Sequence, residues 1–419
     1  MQLPWLPPFD IAMRILHVVP SFYPAYFYGG PIRSSYELCR HLALFGCDVR
    51  VLTTDASGLD AVLDVERDRE VPFEEGFRVR YCRRRLRHSV SPQMLRLLGQ
   101  YIRWADVVHL TGVYNFPTFP TLFHCRVLKK PVVWSPRGGL QRWEGSSRRI
   151  LKAIWDSLWY NLADRPNLTF HCTSQEEARE IMARLPNLRS AVIPNGVDVP
   201  STLNRTEAHG RLRLLYIGRL DPKKGIEGLL TACSMMPANN WHLAIAGWGA
   251  PSYVAHLRQQ INDLGLNHQV EMMGEVLGDA KKQLFENSDV ALVPSHTENF
   301  AIVVAEALAH AVPVIASKGT PWSELHVKRC GLWVDNDPAS LADAILKIST
   351  MPLQEMGQRG RAWMQVEFSW ASVSKNMLAL YGKCCVNRTL TTKSKNTEPS
   401  SLSRGVSKLA TRCVGSQPF

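Results

Sequence analysis

The sequence predicts an α/β protein of two domains, each built on a parallel sheet, with a cleft between them. Three observations predict this. At 419 residues the chain exceeds the size at which one hydrophobic core keeps growing. Short apolar, β-branched runs alternate with helical-period segments along most of its length, the pattern of βαβ units. The alternation breaks at a polar, irregular stretch, Ser201 to Gly210, and then starts again. With 45% apolar and 21% charged residues, composition is ordinary for a globular protein, so both sets can bury a core.

Taken in order, Met13-Arg-Ile-Leu-His-Val-Val-Pro20 reads as the opening strand, near 14–19. Residues 1–12 read as a disordered extension, proline-rich and lacking the basic n-region of a signal peptide, which argues against secretion. Further strands are expected near 48–53, 106–111, 131–135, 168–172 and 191–193. One helix should run from Pro31 to about Phe45 and close at Gly46. Another follows Ser174-Gln-Glu-Glu177, which fits a capping box. Val192-Ile-Pro-Asn-Gly-Val-Asp198 combines a strand end with turn chemistry and is placed at the domain junction. The first domain is then 13–197. The second, 198–366, has strands expected near 212–217, 242–246, 269–272, 289–293 and 312–316. A segment 367–383 follows, and 384–419, rich in Ser, Thr and Lys, should be a disordered tail. Ligands of open α/β sheets sit beyond the carboxyl ends of the strands, so residues just after each strand are the site candidates.

Several function classes drop out. No window reaches 18 uninterrupted apolar residues, so no membrane span is expected. Ten scattered cysteines form no Cys-x-x-Cys pair and no ligand-spaced cluster with histidine; buried reduced thiols in the cytoplasm are the simplest account. Net charge is +12 and uneven: residues 1–200 carry +7, 201–383 are balanced and 384–419 carry +5. The basic N-terminal half suits an anionic lipid surface or a phosphorylated substrate, or is simply a solvated face. No nucleic-acid partner is expected, because Arg83-Arg-Arg85 has no interleaved aromatic platform or recognisable binding module beside it.

Two motifs carry chemistry. After the strand at 212–217 comes Gly218-Arg-Leu-Asp-Pro-Lys-Lys-Gly225 and then a helical run. There Gly218 permits a sharp turn, and Arg219 and Lys224 can join the helix N-terminus in holding a diphosphate without metal. A basic surface loop is the alternative. The second motif is Pro294-Ser-His-Thr-Glu298-Asn-Phe-Ala-Ile-Val-Val-Ala-Glu306, read as a strand end passing into an apolar helix. Glutamates eight apart on one helix lie roughly 12 Å apart, so Glu298 and Glu306 could reach the two ends of an extended ligand. Glu306 interrupts an apolar face and needs a partner, which paired ribose hydroxyls would supply. A capping Glu298 with an unrelated ion-paired Glu306 is the alternative. Asp335-Asn-Asp337 is a D-x-D, but Pro338 and a helical run follow it, so a turn and helix cap is preferred and no metal site is expected.

The loop Gly218 to Gly225, the Glu-x7-Glu pair and Pro313-Val-Ile-Ala-Ser-Lys-Gly-Thr-Pro-Trp322 resemble the donor domain of retaining family-4 (group 1) glycosyltransferases. Gly29-Gly30, Asp106-Val-Val-His109, Ser135-Pro-Arg-Gly138, His171-Cys-Thr-Ser174 and Pro194-Asn-Gly196 fall in that family's order, so the resemblance covers about 13–383. It implies the GT-B fold, two Rossmann-like domains facing a cleft, with 367–383 a helix crossing back to the N-terminal domain. It implies a nucleotide-diphosphate sugar, UDP- or GDP-linked, as co-substrate, and no cofactor. It also implies retention of configuration with no essential metal.

Residue by residue, Arg219 and Lys224 would neutralise the diphosphate, and Glu306 would hold the ribose. Glu298, with the backbone of Asn299, Phe300, Ala301 and Ile302, would hold sugar and phosphate. Gly29 and Gly30 would approach the phosphate from the other domain. Gly247 and Val276, in loops 247–249 and 274–276, would line the base pocket, and His109 would contact the sugar. Arg137 and Gly138 would lie on the acceptor side. The chain departs from the family pattern at Thr111, where a second His is common, and at Ala301 and Ala311, where Gly is frequent.

The expected acceptor is a glycan or a lipid-linked molecule, in polysaccharide or glycolipid biosynthesis. Arg148 to Tyr160, with Trp155, Trp159 and flanking cations, reads either as a peripheral contact with the inner face of an anionic membrane or as a core-packing helix. Two other functions fit the same motifs: a sugar-nucleotide epimerase of the same fold, or a catalytically weak sugar-nucleotide-binding or membrane scaffold protein.

Overall fold

The computed structural model describes residues 12–58, 60–141, 149–162, 165–185, 187–205, 210–237 and 240–395; the expected extension 1–12 falls, except for its last residue, outside these. Strands β1 (Arg14–Val18), β2 (Asp48–Thr54), β3 (Val71–Pro72), β4 (Arg78–Cys82), β5 (Val107–Thr111), β6 (Val132–Ser135), β7 (Leu168–Cys172) and β8 (Arg189–Val192) make the first sheet. Their spatial order is β3-β4-β2-β1-β5-β6-β7-β8, parallel throughout except for β3 against β4. Helices α1 (Gly30–Leu44), α2 (Pro92–Trp104), α3 (Thr118–Val127), α4 (Arg149–Leu162) and α5 (Gln175–Arg184) belong to this half. Leu16, Val108, Leu110, Trp134 and Phe170 alternate onto the face covered by Met94, Leu98, Leu122 and Trp159 of α2, α3 and α4. Ile15, Val49, Val51, Val107 and Val133 face the opposite way.

Six wholly parallel strands make the second sheet: β9 (Leu212–Ile217), β10 (Trp241–Ala246), β11 (Val270–Gly274), β12 (Val290–Val293), β13 (Val314–Ser317) and β14 (Gly331–Val334), in the order β11-β10-β9-β12-β13-β14. Around it lie α6 (Ile226–Ser234), α7 (Pro251–Asp263), α8 (Gly278–Glu286), α9 (Ile302–Ala309), α10 (Glu324–Val327), α11 (Pro338–Ile348) and α12 (Leu353–Trp363). Strands β3, β4 and β14 were not expected. Alternating arginines in β4 disguise it as a basic run, and β14 is only four residues long.

In each sheet the strand order reverses beside the first strand of its set, between β1 and β5 and between β9 and β12. Such a reversal leaves a crevice at the carboxyl ends, because the connections on either side depart in opposite directions. The loops bearing Gly29-Gly30, Arg219 to Gly225 and Glu298 to Ala301 open at these two crevices.

The chain crosses between the halves twice, side by side. Outgoing Val197 donates its N–H to the carbonyl of returning Phe368 at 2.8 Å, and Val197 bridges Ser369 in parallel. The returning helix α13 (Trp370–Lys395) then packs Val373, Met377 and Tyr381 on the α1 side of the first sheet. It runs past 383, where the sequence reading had placed the start of a disordered tail. The reason is that Cys384 and Cys385 still pack on this core, with Cys384 Sγ 3.6 Å from Thr169 Oγ1. The nine cysteines among the described residues are all free.

Candidate functional site

At the β9/β12 crevice, the turn after β9 is held by Asp221, whose carboxylate accepts from Lys223 N at 3.0 Å. Gly225 follows with φ 68°, and a β-carbon there would lie 2.1 Å from the carbonyl oxygen of Pro294. Only glycine lets this turn close onto the loop after β12. That approach sets Lys224 against Glu298: Lys224 Nζ pairs with Glu298 Oε1, which also accepts from Ser295 Oγ at 2.8 Å. Arg219 is exposed and has no ion-pair partner among the described residues. Lys224 and Glu298 thus meet at one crevice, and Arg219 stands exposed on the same turn.

Glu298 and Glu306 do not share a helix, contrary to the sequence reading. Ala301 takes up a left-handed conformation, φ 58° and ψ 67°, and α9 starts only at Ile302. Glu298 therefore stands in the preceding loop, its N–H bonded to Gly319 O at 2.8 Å. Glu306 projects from α9, where Lys281 Nζ of α8 donates to both carboxylate oxygens at 2.7 and 2.8 Å. Arg33 of α1 approaches Glu306 from the other domain at 3.9 Å while bonding Asp198 at 2.6 Å. The α9 N-terminus has no side-chain cap, and neither does that of α6, so amides at both ends can meet an anion.

Loop ends at 218, 247 and 274 stack on one another. Gly218 N donates to Ala246 O at 3.0 Å and Gly247 N to Gly274 O at 2.7 Å, and a β-carbon on Gly247 would lie 1.7 Å from Gly218 O. Gly247 thus borders the turn that carries Arg219, and half-buried Val276 lies just beyond Gly274. From the first domain, Gly30 comes within 3.8 Å of Ile302, measured from the position of an added β-carbon, and Gly29 (φ 69°) faces open space.

On the side where the acceptor is expected, Asn299 Nδ2 reaches across to Thr173 Oγ1 at 2.7 Å, and Asn299 Oδ1 is buried with no hydrogen-bond partner among the described residues. Gly138 N donates to Glu177 Oε1 at 2.8 Å, while Glu177 Oε2 accepts from Thr173 N at 2.7 Å. Ser174 Oγ caps α5 by accepting from Glu177 N at 3.1 Å. The expected capping box is therefore a variant in which the glutamate also ties the 136–141 turn to the cleft. Arg137 (φ 54°) bonds Asn195 Oδ1; burial lowers its pKa, and the negative charge of Glu177 opposes that shift.

His109 departs from the expected sugar contact. It is fully buried within β5, stacked on His17 at 4.3 Å, with both ring nitrogens engaged below the cleft. His171 Nε2 meets the carbonyl of Ile193 at 2.9 Å and so donates. Its Nδ1 must then accept from Ser135 Oγ (2.6 Å), Ser135 Oγ from His109 Nε2 (2.7 Å), and His109 Nδ1 from Tyr381 OH (2.5 Å). This chain of neutral groups fastens α13 to three strands and leaves His109 no nitrogen for a sugar. Thr111, where a second His is frequent in the resembled family, is also buried and meets His17 Nε2 at 2.8 Å.

Trp155 and Trp159 are likewise not surface anchors. Trp159 is wholly buried against Trp134 and Phe170, and Trp155 packs on Phe119 at 4.3 Å. Asp337 accepts from Ser340 N at 2.9 Å as the cap of α11, and Asp335 pairs with Lys318 at 2.8 Å, so the D-x-D acids serve a helix start and a surface ion pair. Sequence reasoning missed Arg33 and Lys281, and marked Thr173, Glu177 and Asn195 only inside motifs, with no distant contact assigned to them. Their partners Glu306, Asn299, Gly138 and Arg137 lie far along the chain, so no spacing signal could have shown these contacts.

Comparison with known proteins agrees with this geometry. The family described as "Glycosyl transferases group 1" matches residues 204–363, and "Glycosyltransferase Family 4" matches 28–200. A GDP-mannose:cellobiosyl-diphosphopolyprenol alpha-mannosyltransferase of Xanthomonas campestris is 27% identical over 372 residues, 86% of this chain and 94% of that protein. An uncharacterized glycosyltransferase of Methanocaldococcus jannaschii is 32% identical over 178 residues, 40% of this chain and 44% of that protein. Among solved structures, sucrose-phosphate synthase from Thermosynechococcus elongatus superposes with TM-score 0.69 at 19% identity, covering 91% of this chain and all of that one. Anabaena HepE in complex with UDP gives 0.68 at 19% identity, covering 88% and 100%. At such identities these structures show the shared fold.

Proposed function

Because this chain belongs to the group 1, family-4 glycosyltransferases and has the GT-B fold, we propose that it transfers a hexose from a UDP- or GDP-linked sugar to a glycan or lipid-linked acceptor. The transfer proceeds with retention of configuration and without an essential metal, in polysaccharide or glycolipid biosynthesis. One observation carries the reading: Lys224 meets Glu298 at the β9/β12 crevice, on the turn that also bears exposed Arg219, between two helix N-termini without side-chain caps. Relatives point the same way. Several are GDP-mannose-dependent mannosyltransferases by name, and two of those are named for a cellobiosyl-diphosphopolyprenol acceptor.

In the mechanism the donor diphosphate lies across the turn 218–225, where Arg219 and Lys224 with the α6 and α9 amides offset the charge that grows as the sugar–phosphate bond breaks. Two fixed cations supply this charge, so the reading needs no metal. Glu306 takes the ribose hydroxyls; a carboxylate has lone pairs enough to keep Lys281, which orients it. Asn299 and Glu298 hold the sugar, and the acceptor enters from the side of Arg137 and Gly138.

Thermal-shift measurement with UDP, GDP and their sugars tests the donor assignment, because a ligand bound only by the folded state raises its stability. One nucleotide should raise the melting temperature, and the cognate sugar should raise it further. Absence of any shift from all of them would overturn the reading. Proton NMR of the product formed in EDTA should show the donor's anomeric configuration kept and the rate unchanged.

A further inference from the structure

Among the described residues, the outer surface of α2, α3 and α4 carries exposed apolar side chains and no free acid. Phe123 and Val127, one turn apart on α3, are 50% and 63% exposed, and Ile154 and Leu158, one turn apart on α4, are each 53% exposed. Phe119 packs on Trp155, and Arg126 donates to Asn161 O at 2.7 Å. The two helices therefore run side by side in the same direction, and Phe123 stands level with Leu158. On α2, Leu95 adds a further apolar side chain, 44% exposed.

The sequences of these three helices contain Arg96, Arg103, Arg126, Arg149 and Lys152 but a single acid, Asp156. Asp156 is taken up by Tyr114 OH at 3.1 Å and Trp159 Nε1 at 3.2 Å. The exposed cations Arg96, Arg103, Arg126 and Lys129 thus border the apolar side chains with no acid of these helices turned toward them.

We propose that this face docks on an anionic bilayer, with Phe123, Val127, Ile154 and Leu158 entering the interface and the cations meeting lipid phosphates. The proposal rests on the reading of the protein as a transferase with a lipid-linked acceptor, and it assigns the surface that brings the enzyme to that acceptor. It differs from the contact expected from sequence, because the tryptophans face inward and α3 supplies half of the patch. Charge complementarity selects the occupant. A second copy related by a two-fold axis would set Arg96, Arg126 and Lys129 against their own images, whereas an anionic surface neutralises all of them. Orientation agrees: in a parallel α/β unit each helix starts where its strand ends, so α3 and α4 begin on the cleft side, and a lipid-borne head group would arrive there.

The test is cosedimentation of the full chain with vesicles of phosphatidylcholine alone or with phosphatidylglycerol added. The expected result is binding to the anionic vesicles only, weakening as salt rises. Phe123→Asp and Leu158→Asp should each reduce it about tenfold, and Arg126→Ala with Lys129→Ala should reduce it severalfold. Each variant should keep the wild-type melting temperature and nucleotide-induced shift, so loss of membrane binding is read separately from failure of the donor assignment. Failure to bind anionic vesicles, or binding unchanged in these variants, would overturn the proposal. A lipid-free dimer that Leu158→Asp dissociates would assign the face to self-association instead.

Discussion

The indole of Trp370 lies over Gly196 so closely that a β-carbon on residue 196 would sit 2.3 Å from the ring. These residues belong to the two neighbouring chain crossings, so each fixes the path of the other. Gly196→Ala should lower stability by about 1–3 kcal/mol, the usual cost of overpacking, read as a drop in the urea midpoint. Replacing Trp370 by Leu in the same chain should recover part of that loss, since the clash needs both groups.

Arg219 and Lys224 should separate in their effects. Arg219 is exposed and unpaired among the described residues, so Arg219→Ala should weaken nucleotide binding at least about tenfold while leaving the melting temperature of the free protein unchanged. Lys224→Ala should weaken binding similarly and also destabilise the free protein, because it leaves half-buried Glu298 without its partner. Calorimetric titration beside thermal melts distinguishes the two, and unimpaired binding in both variants would remove the proposed diphosphate site.

Ala301 and Ala311 both occupy left-handed backbone, at φ 58° and 56°, which explains why the resembled family favours glycine there. Left-handed backbone costs an L-residue about 1–2 kcal/mol, and glycine's greater freedom when unfolded returns part of that. Ala301→Gly and Ala311→Gly should therefore each stabilise by about 0.5–1 kcal/mol in urea unfolding. Lower stability in either variant would contradict the strain.

Acid should destabilise the protein through His17, His109 and His171. Burial is the largest cause holding all three below the ordinary 6.5. For His17 and His171, both held at about 3, the charge of Arg137 adds to it; for His109 the other two histidines and then Arg137 do so. Unfolded imidazoles titrate near 6.5, so below that pH the unfolded chain takes up protons that the native state refuses. Stability is therefore full above about 6.5 and falls as pH drops toward 3, by at most about 1.4 kcal/mol per pH unit for each histidine. Urea unfolding should show a lower midpoint at pH 5 than at pH 8. His171→Asn should be less stable at pH 8 yet lose less between those values.

The two alternating sets of elements were legible because period-2 and period-3.6 patterns follow directly from backbone geometry. Loops after β1, β9 and β12 could be marked as site loops because their glycines and charges follow strand ends. Glu298 was misassigned to a helix because nothing local in Asn299-Phe-Ala announces a left-handed residue; glycine would have, and this chain carries alanine. His109 looked like a site residue because its motif resembles the family's, but strand alternation fixes only that it turns to one face. What covers that face is Tyr381, 272 residues away.

By itself, then, the sequence determined the two α/β halves, their order and the charged turn proposed to meet the donor, since each is written in residues close together along the chain. The tertiary structure alone decided which cations hold Glu306, that His109 and His171 join Ser135 and Tyr381 in one buried hydrogen-bonded chain, and which helix faces remain uncovered. Those outcomes depend on strand order and on the return of α13. They join residues up to 273 positions apart, such as Arg33 and Glu306, whose meeting no local pattern encodes.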